Sequence, residues 1–360
     1  MGKLLFTETP TTKHVRSENY SFDFSKESGF FARWGKTKEN IDDPKFAPSL
    51  ELADIEITTI CQGVTNHGKG PSPCRFCYKS NTPKGINMSL DTFKQLFDKI
   101  AKSRLLCQIA LGADSNATSN PDLFSMMEYS RLNGVIPNIT VAEITDETAD
   151  KLVKLAGAVA VSRYADKNVC YDSVKRLTDR GLLQTNIHIL VSRESYDWVM
   201  ETLQDRLTDP RLSKLKAIVL LSLKKRGRGI GFNTLEPEKF RNIINFALKN
   251  NISIGLDSCS ARRFLDVVKD SPHFQEFLTC VEPCESVCFS GFFDVNARFF
   301  PCSFTPGYDG WDDGLDVLYC DDFVKDVWNN PKTISFREKL LDTENKNCYG
   351  CRECVLFDID

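Results

Sequence analysis

The chain has 360 residues, 41% of them apolar and 26% charged, with a net charge of -3. That composition supports a sizeable buried core and excludes wholesale disorder, and the lack of a basic field argues against sequence-independent nucleic-acid binding. The opening MGKLLFTETP lacks the apolar core of a signal peptide, Phe6 breaks the myristoylation pattern, and no apolar run approaches the ~20 residues that span a bilayer. A soluble, cytoplasmic protein that neither enters a membrane nor coats nucleic acid is expected.

Residues 1–50 come first as a lead-in segment. The stretch SFDFSKESGFFARWGKTKENIDDPKF is aromatic and punctuated by glycine, and the alternation in YSFDF and FFARWG suits a hairpin packed on the main body of the protein. Gripping substrate is a second role open to it. Apolar, β-rich runs then recur at 54–60, 105–111, 135–141, 157–161, 183–191, 217–223 and 252–256. Between them lie segments with helical spacing. In SLDTFKQLFDKIAKS, residues Leu90, Phe93, Leu96, Phe97 and Ile100 share one face, with Ser89 placed as N-cap. PDLFSMMEYSRL, DETADKLVKLA, YDSVKRLTDRGL and EPEKFRNIINFALKNN read the same way.

Strand-then-helix units at about 30-residue spacing imply right-handed βαβ crossovers and a parallel sheet. The expected fold is α/β: a partial (β/α)6-type TIM-like barrel over residues 51–272, followed by a small domain over 273–360. Chemistry on such a barrel sits at the C-terminal ends of its strands.

Fourteen cysteines punctuate this frame. A disulfide framework belongs to small secreted domains, which this chain does not resemble. Cys107, Cys170 and Cys259 are scattered and read first as small buried apolar residues. Three others follow the first barrel strand in CQGVTNHGKGPSPCRFCY, where Cys61, Cys74 and Cys77 are spaced C-x12-C-x2-C. A catalytic zinc uses three protein ligands plus water. Three thiolates equally suit a [4Fe-4S] cluster with one iron left open. His67 is the only histidine in the loop.

Here the chain resembles the radical S-adenosylmethionine (SAM) superfamily, over roughly residues 50–270, with CRFCYKSN as the strongest local match. The resemblance implies a [4Fe-4S] cluster on Cys61, Cys74 and Cys77, with SAM's amino and carboxylate groups on the open iron. Phe76 matches the aromatic residue before the last cysteine. The gap of twelve departs from the usual three. In ALGADSNATSNPDL, Gly112 and Asp114 stand where the family's Gly-Gly-Glu binds SAM's amino group, although Asp114 also reads as a cap of the next helix. Ser162 resembles the polar residue that touches the ribose, or is a plain loop serine. KKRGRG at 224–229 reads as a site for SAM's carboxylate or an anionic substrate group, or as a solvated loop.

The remaining eight cysteines crowd into 280–354. CESVCFSGFFDVNARFFPC supplies Cys284, Cys288 and Cys302, and CYGCREC supplies Cys348, Cys351 and Cys354. This is similar to the SPASM and twitch extensions of radical SAM enzymes, which implies at least one auxiliary [4Fe-4S] cluster. A second would recruit Cys280 or Cys320. Asn296-Ala297 replaces the extension's usual Asp-Gly, and asparagine at a hairpin tip tolerates positive φ.

The implied activity is reductive cleavage of SAM to a 5'-deoxyadenosyl radical that removes a hydrogen atom from a peptide or protein substrate. An electron donor such as flavodoxin or ferredoxin would be its partner. Two alternatives stand beside it: a radical SAM dehydrogenase of a small molecule, and a structural zinc or cysteine-rich binding protein. Cys259, just past the last barrel strand in GLDSCSARRF, is a candidate hydrogen-atom donor.

Overall fold

The computed structural model describes residues 3–36, 44–346 and 349–358. The lead-in segment forms a four-stranded antiparallel sheet, β1 (Leu5–Glu8), β2 (Thr12–Arg16), β3 (Ser21–Ser25) and β4 (Phe31–Trp34), in chain order. The expected hairpin is its β3–β4 half. The sheet caps the N-terminal ends of the barrel strands, where Val15, Phe22 and Phe24 pack with Leu105, Cys107 and Ile136. A buried ion pair pins it there. Arg33 donates to Glu51 through Nε (3.0 Å) and Nη2 (2.6 Å), and the Tyr20 hydroxyl donates to the same carboxylate. Burial still holds the Glu51 pKa above its ordinary value, although Arg33 opposes the shift. The location keeps this sheet away from the strands' C-terminal ends.

Then come β5 (Leu52–Glu56), β6 (Val64–Asn66), β7 (Lys69–Ser72), α1 (Leu90–Ala101), β8 (Gln108–Gly112), α2 (Leu123–Leu132), β9 (Ile136–Val141), α3 (Asp146–Leu155), β10 (Val159–Ser162), α4 (Lys167–Asp179), β11 (Thr185–Val191), α5 (Tyr196–Thr208), β12 (Ala217–Ser222), α6 (Pro237–Lys249) and β13 (Ile254–Leu256). The chain continues through α7 (Ala261–Val268), α8 (Phe274–Cys280), β14 (Ser290–Phe293), β15 (Arg298–Phe300), β16 (Leu315–Asp316) and α9 (Pro331–Asp342). Each of the seven apolar runs overlaps a strand. The first ends at Glu56 rather than at residue 60, because Thr58 and Ile60 leave the sheet to bridge Asn87 and Thr82.

Helix α1 shows what fixes the helices. Ser89 caps it by accepting from the Thr92 amide at 3.1 Å, an interaction typically worth about 1 kcal/mol. Its face of Phe93, Leu96, Phe97 and Ile100 is fully buried, at roughly 1.5–3 kcal/mol per side chain. Packing outweighs the cap several-fold.

One ten-stranded sheet runs β13-β12-β11-β10-β9-β8-β5-β14-β15-β16. Seven strands, β5 and β8–β13, are mutually parallel, one for each of the seven apolar runs. The barrel is not closed: β13 and β16 are the two ends of the sheet among the described residues. Strand β14 pairs in parallel with β5, and β15 and β16 follow antiparallel, so the C-terminal hairpin continues the barrel's own sheet. At its turn the positive φ falls on Ala297 (+60°), not on Asn296. The Asp294 carboxylate explains the shift, since its Oδ1 accepts from the amides of Asn296 (3.0 Å) and Arg298 (2.8 Å). Among the described residues no helix is long and apolar enough to cross a membrane.

Candidate functional site

The twelve residues between Cys61 and Cys74 are not a slack insertion. They fold into the β6–β7 hairpin, whose turn residues His67 and Gly68 both have positive φ (49° and 74°). The hairpin is tethered to the next loops of the barrel: the amide of Thr65 donates to Glu143 (3.3 Å) and that of His67 to Asp166 (3.1 Å). The His67 ring lies 3.7 Å from the same Asp166 and is largely exposed. Gly63 (φ +91°) begins the hairpin, and a Cβ there would sit 1.9 Å from the Ser72 carbonyl oxygen.

This hairpin brings Cys61 back beside Cys74 and Cys77 at the C-terminal ends of the parallel strands. The Cys61 thiol lies 3.8 Å from the Ser115 hydroxyl in the loop after β8, and the Ser115 carbonyl accepts from Ala142 after β9 (2.7 Å). Cys74 feels both other thiols. Burial pushes its pKa up to about 11, a hydrogen bond with Tyr164 opposes this, and charge on Cys77 or Cys61 would raise it further. The Cys74 thiol is therefore protonated near neutral pH, and metal binding must displace its proton. Among the described residues no three His, Cys, Asp or Glu side chains gather as a single metal ion requires. A [4Fe-4S] cluster makes a different demand, because each thiolate binds a different iron and the sulfurs stand further apart. Three neighbouring thiols on a braced loop fit that group.

The bracing comes from residues 224–229. Arg228 Nε donates to the Cys74 carbonyl (2.8 Å), its Nη1 to that of Asn81 (3.1 Å), and its amide to that of Cys77 (3.0 Å). Gly227 sits at φ +55°, and a Cβ there would lie 2.4 Å from the Tyr78 carbonyl oxygen and 2.6 Å from that of Cys77. The basic run is thus neither a solvated loop nor wholly an anion site, since two of its arginines hold main-chain carbonyls. Arg226 donates to the carbonyls of Phe304 and Pro306 and lies 4.9 Å over the Tyr308 ring, while Lys224 pairs with Asp257.

Phe76 is stacked on Tyr164 (centroids 5.4 Å apart, planes at 28°) and meets Phe232 edge-on at 5.6 Å. Tyr164 also hydrogen-bonds Ser162, and this joins Ser162 to Cys74 through one phenol. Gly112 is exposed at the end of β8, and its carbonyl accepts from Ile57 at 3.1 Å. Asp114 is 3% exposed, and its Oδ1 accepts from the amides of Thr118 (2.9 Å) and Ser119 (3.0 Å). Its carboxylate is spent on shaping its own loop. Sequence patterns did not single out Tyr164, Phe232, Arg228 or Gly227 for these roles. Only the two loop residues carried a signal, the Gly-Arg alternation after a strand.

The C-terminal thiols divide. Cys284, Cys302 and Cys354 lie within electrostatic reach of one another: burial pushes the Cys284 pKa up to about 12, and charge on Cys302 or Cys354 would raise it further. The Arg352 guanidinium fixes part of this grouping by donating from Nε to the Cys284 carbonyl at 2.7 Å. Cys288 is wholly buried in the same apolar layer as Cys284, with Phe22 and Phe289, among the charges of Arg352, Arg337 and Glu344. Cys351 is buried, with its thiol toward the Tyr349 carbonyl, and Cys348 lies outside the described residues. Cys280 is exposed at the end of α8, and Cys320 is flanked by Lys99 and three aspartates. Cys107 and Cys170 are core residues, as expected.

No family model matches this chain, and no curated protein matches it in sequence. Solved structures do share its fold. Streptococcus suis SuiB bound to S-adenosylmethionine superposes with a TM-score of 0.66 at 11% identity, covering 92% of this chain and 90% of SuiB. BtrN in complex with AdoMet and 2-DOIA aligns over 85% of this chain and 93% of its own at 13% identity, but its TM-score of 0.42 is too low to carry an argument. The likeness to SuiB extends over most of the chain, and it is a likeness of fold.

Proposed function

We propose that this protein is a radical SAM enzyme that cleaves S-adenosylmethionine reductively and uses the 5'-deoxyadenosyl radical to take a hydrogen atom from a peptide or protein. One observation carries the reading: three thiols from a single loop converge at the C-terminal ends of an open parallel α/β sheet, held by main-chain clamps and not by acidic or histidine ligands. Cys61, Cys74 and Cys77 would hold a [4Fe-4S] cluster, which would supply the electron for that cleavage and a binding place for SAM. A reduced flavodoxin or ferredoxin is the source of the electron.

The chain's own residues do the positioning. Arg228 and Gly227 keep the cysteine loop at a fixed height above the strands. Phe76, held between Tyr164 and Phe232, gives the cofactor an apolar wall. The Ser162 hydroxyl and the exposed main chain at Gly112 offer polar groups to the ribose and the amino group, and Asp114 keeps the loop after β8 in shape. Cys284, Cys302 and Cys354, with one further cysteine, would hold one auxiliary [4Fe-4S] cluster.

A peptide substrate is the first reading, and a sheet left unclosed between β13 and β16 among the described residues is compatible with one. A second reading, dehydrogenation of a polyhydroxylated small molecule, is favoured by the polar inner face of the sheet. Side chains alternate across a strand. Opposite the apolar face of Ile109, Ile139 and Ile187 stand Gln108, Asn138 and His188, and Asn138 donates to Gln108 at 2.9 Å.

Anaerobic reconstitution followed by reductant and SAM tests the class. 5'-Deoxyadenosine is expected, with substrate-dependent stimulation by peptides separating the first reading from the second. Replacing Cys61, Cys74 and Cys77 with Ala should abolish that product while leaving about four irons of one cubane at the auxiliary site. Continued deoxyadenosine formation by the triple variant would remove the assignment.

A further inference from the structure

Cys259 follows β13 in a short 3-10 turn, Ser258–Ser260, far in sequence from the C-terminal thiols. A local network makes this turn rigid. The Asp257 carboxylate accepts from the Ser222 amide (3.0 Å) and from Ser260, and pairs with Lys224, while the hydroxyls of Ser222 and Ser260 meet at 2.5 Å. The turn is also tied to the end of the chain. Arg262 binds Glu353 at 3.0 Å, and Cys259 and Cys354 line one cavity of about 370 Å³ with Arg262, Arg352 and Phe357.

The other two thiols reach the same place by separate routes. Arg352 donates to the Cys284 carbonyl at 2.7 Å. Phe304, two residues after Cys302, meets the Phe357 ring at 6.1 Å, three residues after Cys354, and Lys224 lies 5.3 Å from the Phe304 ring. Four thiols from four segments thus surround one region. Cys259 lies within electrostatic reach of Lys224, Cys284 and Cys354. Lys224 in turn lies close to Asp257, Cys259 and Cys354.

We propose that Cys259 is an iron ligand that joins Cys284, Cys302 and Cys354 around the auxiliary [4Fe-4S] cluster. The proposal rests on the auxiliary-cluster reading above and names its fourth ligand, which comes from the barrel itself, just after its last parallel strand. Cubane clusters take four cysteine thiolates, and their buried net negative charge needs a cation nearby, a place that Lys224 occupies. A thiolate committed to iron has no S–H to give, so Cys259 as ligand is incompatible with Cys259 as hydrogen-atom donor.

The test starts from the Cys61/Cys74/Cys77→Ala variant, whose iron reports the auxiliary site alone. After anaerobic reconstitution, iron is counted and EPR spectra are recorded before and after reduction. Adding Cys259→Ala should remove at least half of the about four irons of one cubane, or convert the cluster to a three-iron form with its own EPR signal when oxidised. Adding the near-isosteric Cys259→Ser, whose oxygen can still ligate iron, should retain iron and shift the EPR spectrum of the reduced cluster. Unchanged iron and unchanged spectra in both variants overturn the ligand assignment while the auxiliary cluster stands. Absence of iron from the starting variant overturns both.

Discussion

Cys61, Cys74 and Cys77 sit on one continuous loop of 17 residues, whereas Cys259, Cys284, Cys302 and Cys354 come from four segments spread over the last third of the chain. The first group is close-knit by covalent connection, and its remaining freedom is removed by Arg228 and Gly227 acting on carbonyl oxygens. The second group has no such connection. It exists only because β14 adds to the edge of β5, β15 returns antiparallel, and the chain's end folds back onto α7. Local loops make a site robust to changes elsewhere, while assembled sites register every change in the fold around them.

The largest expected effect breaks the local group. Gly227→Val would place a Cβ within 2.4 Å of the Tyr78 carbonyl oxygen and 2.6 Å of that of Cys77, at a φ of +55° that β-branched residues avoid. The cysteine loop must move. More than a tenfold fall in deoxyadenosine formation is expected, with near-normal far-UV circular dichroism and iron retained at the auxiliary site. Equal loss of iron from both sites would show that the two groups are not independent.

Arg226→Ala attacks the assembled group. It removes the donors to the carbonyls of Phe304 and Pro306 and the cation over Tyr308. Leaving part-buried carbonyls without donors typically costs about 1 kcal/mol. Faster loss of auxiliary iron to a chelator is expected, several-fold over the parent, with SAM cleavage falling less than threefold. A larger fall in cleavage than in auxiliary iron retention would assign Arg226 to the first site.

The smallest effect concerns the sheet that carries both groups. Burial raises the Asp54 pKa to about 6, with Lys79 opposing, from an ordinary 3.8. Between those values the folded state binds more protons than the unfolded one, so this carboxyl stabilises the fold at low pH and that contribution is lost as pH rises through 6. Asp54→Asn should therefore raise the melting temperature by about 2–4 °C at pH 7.5. It should give no gain near pH 4, and auxiliary iron should be unaffected. A pH-independent change in melting temperature would rule out titration of Asp54 as the cause.

Much of this was legible in the chain itself. Runs such as AIVLLS and TNIHILV could only be buried strands, and α1 announced itself through Ser89 and its Phe93, Leu96, Phe97 and Ile100 face. The CRFCY loop was legible because its cysteines are near neighbours in sequence. Less visible was the use of individual residues. Asp114 carried the signature of both a cofactor acceptor and a loop cap, and its neighbours' amides claim it.

Residue order alone determined the seven parallel strands, their helices and the grouping of Cys61, Cys74 and Cys77, since periodicity, capping and short thiol spacings depend on neighbours a few positions apart. Tertiary structure decided the rest. The open edge of β5 receives β14, and only that long-range pairing brings Cys284 and Cys302 to the barrel turn that carries Cys259. Such pairings depend on which edge, carbonyl or cavity remains available once the local elements have packed, and no stretch of sequence records that by itself.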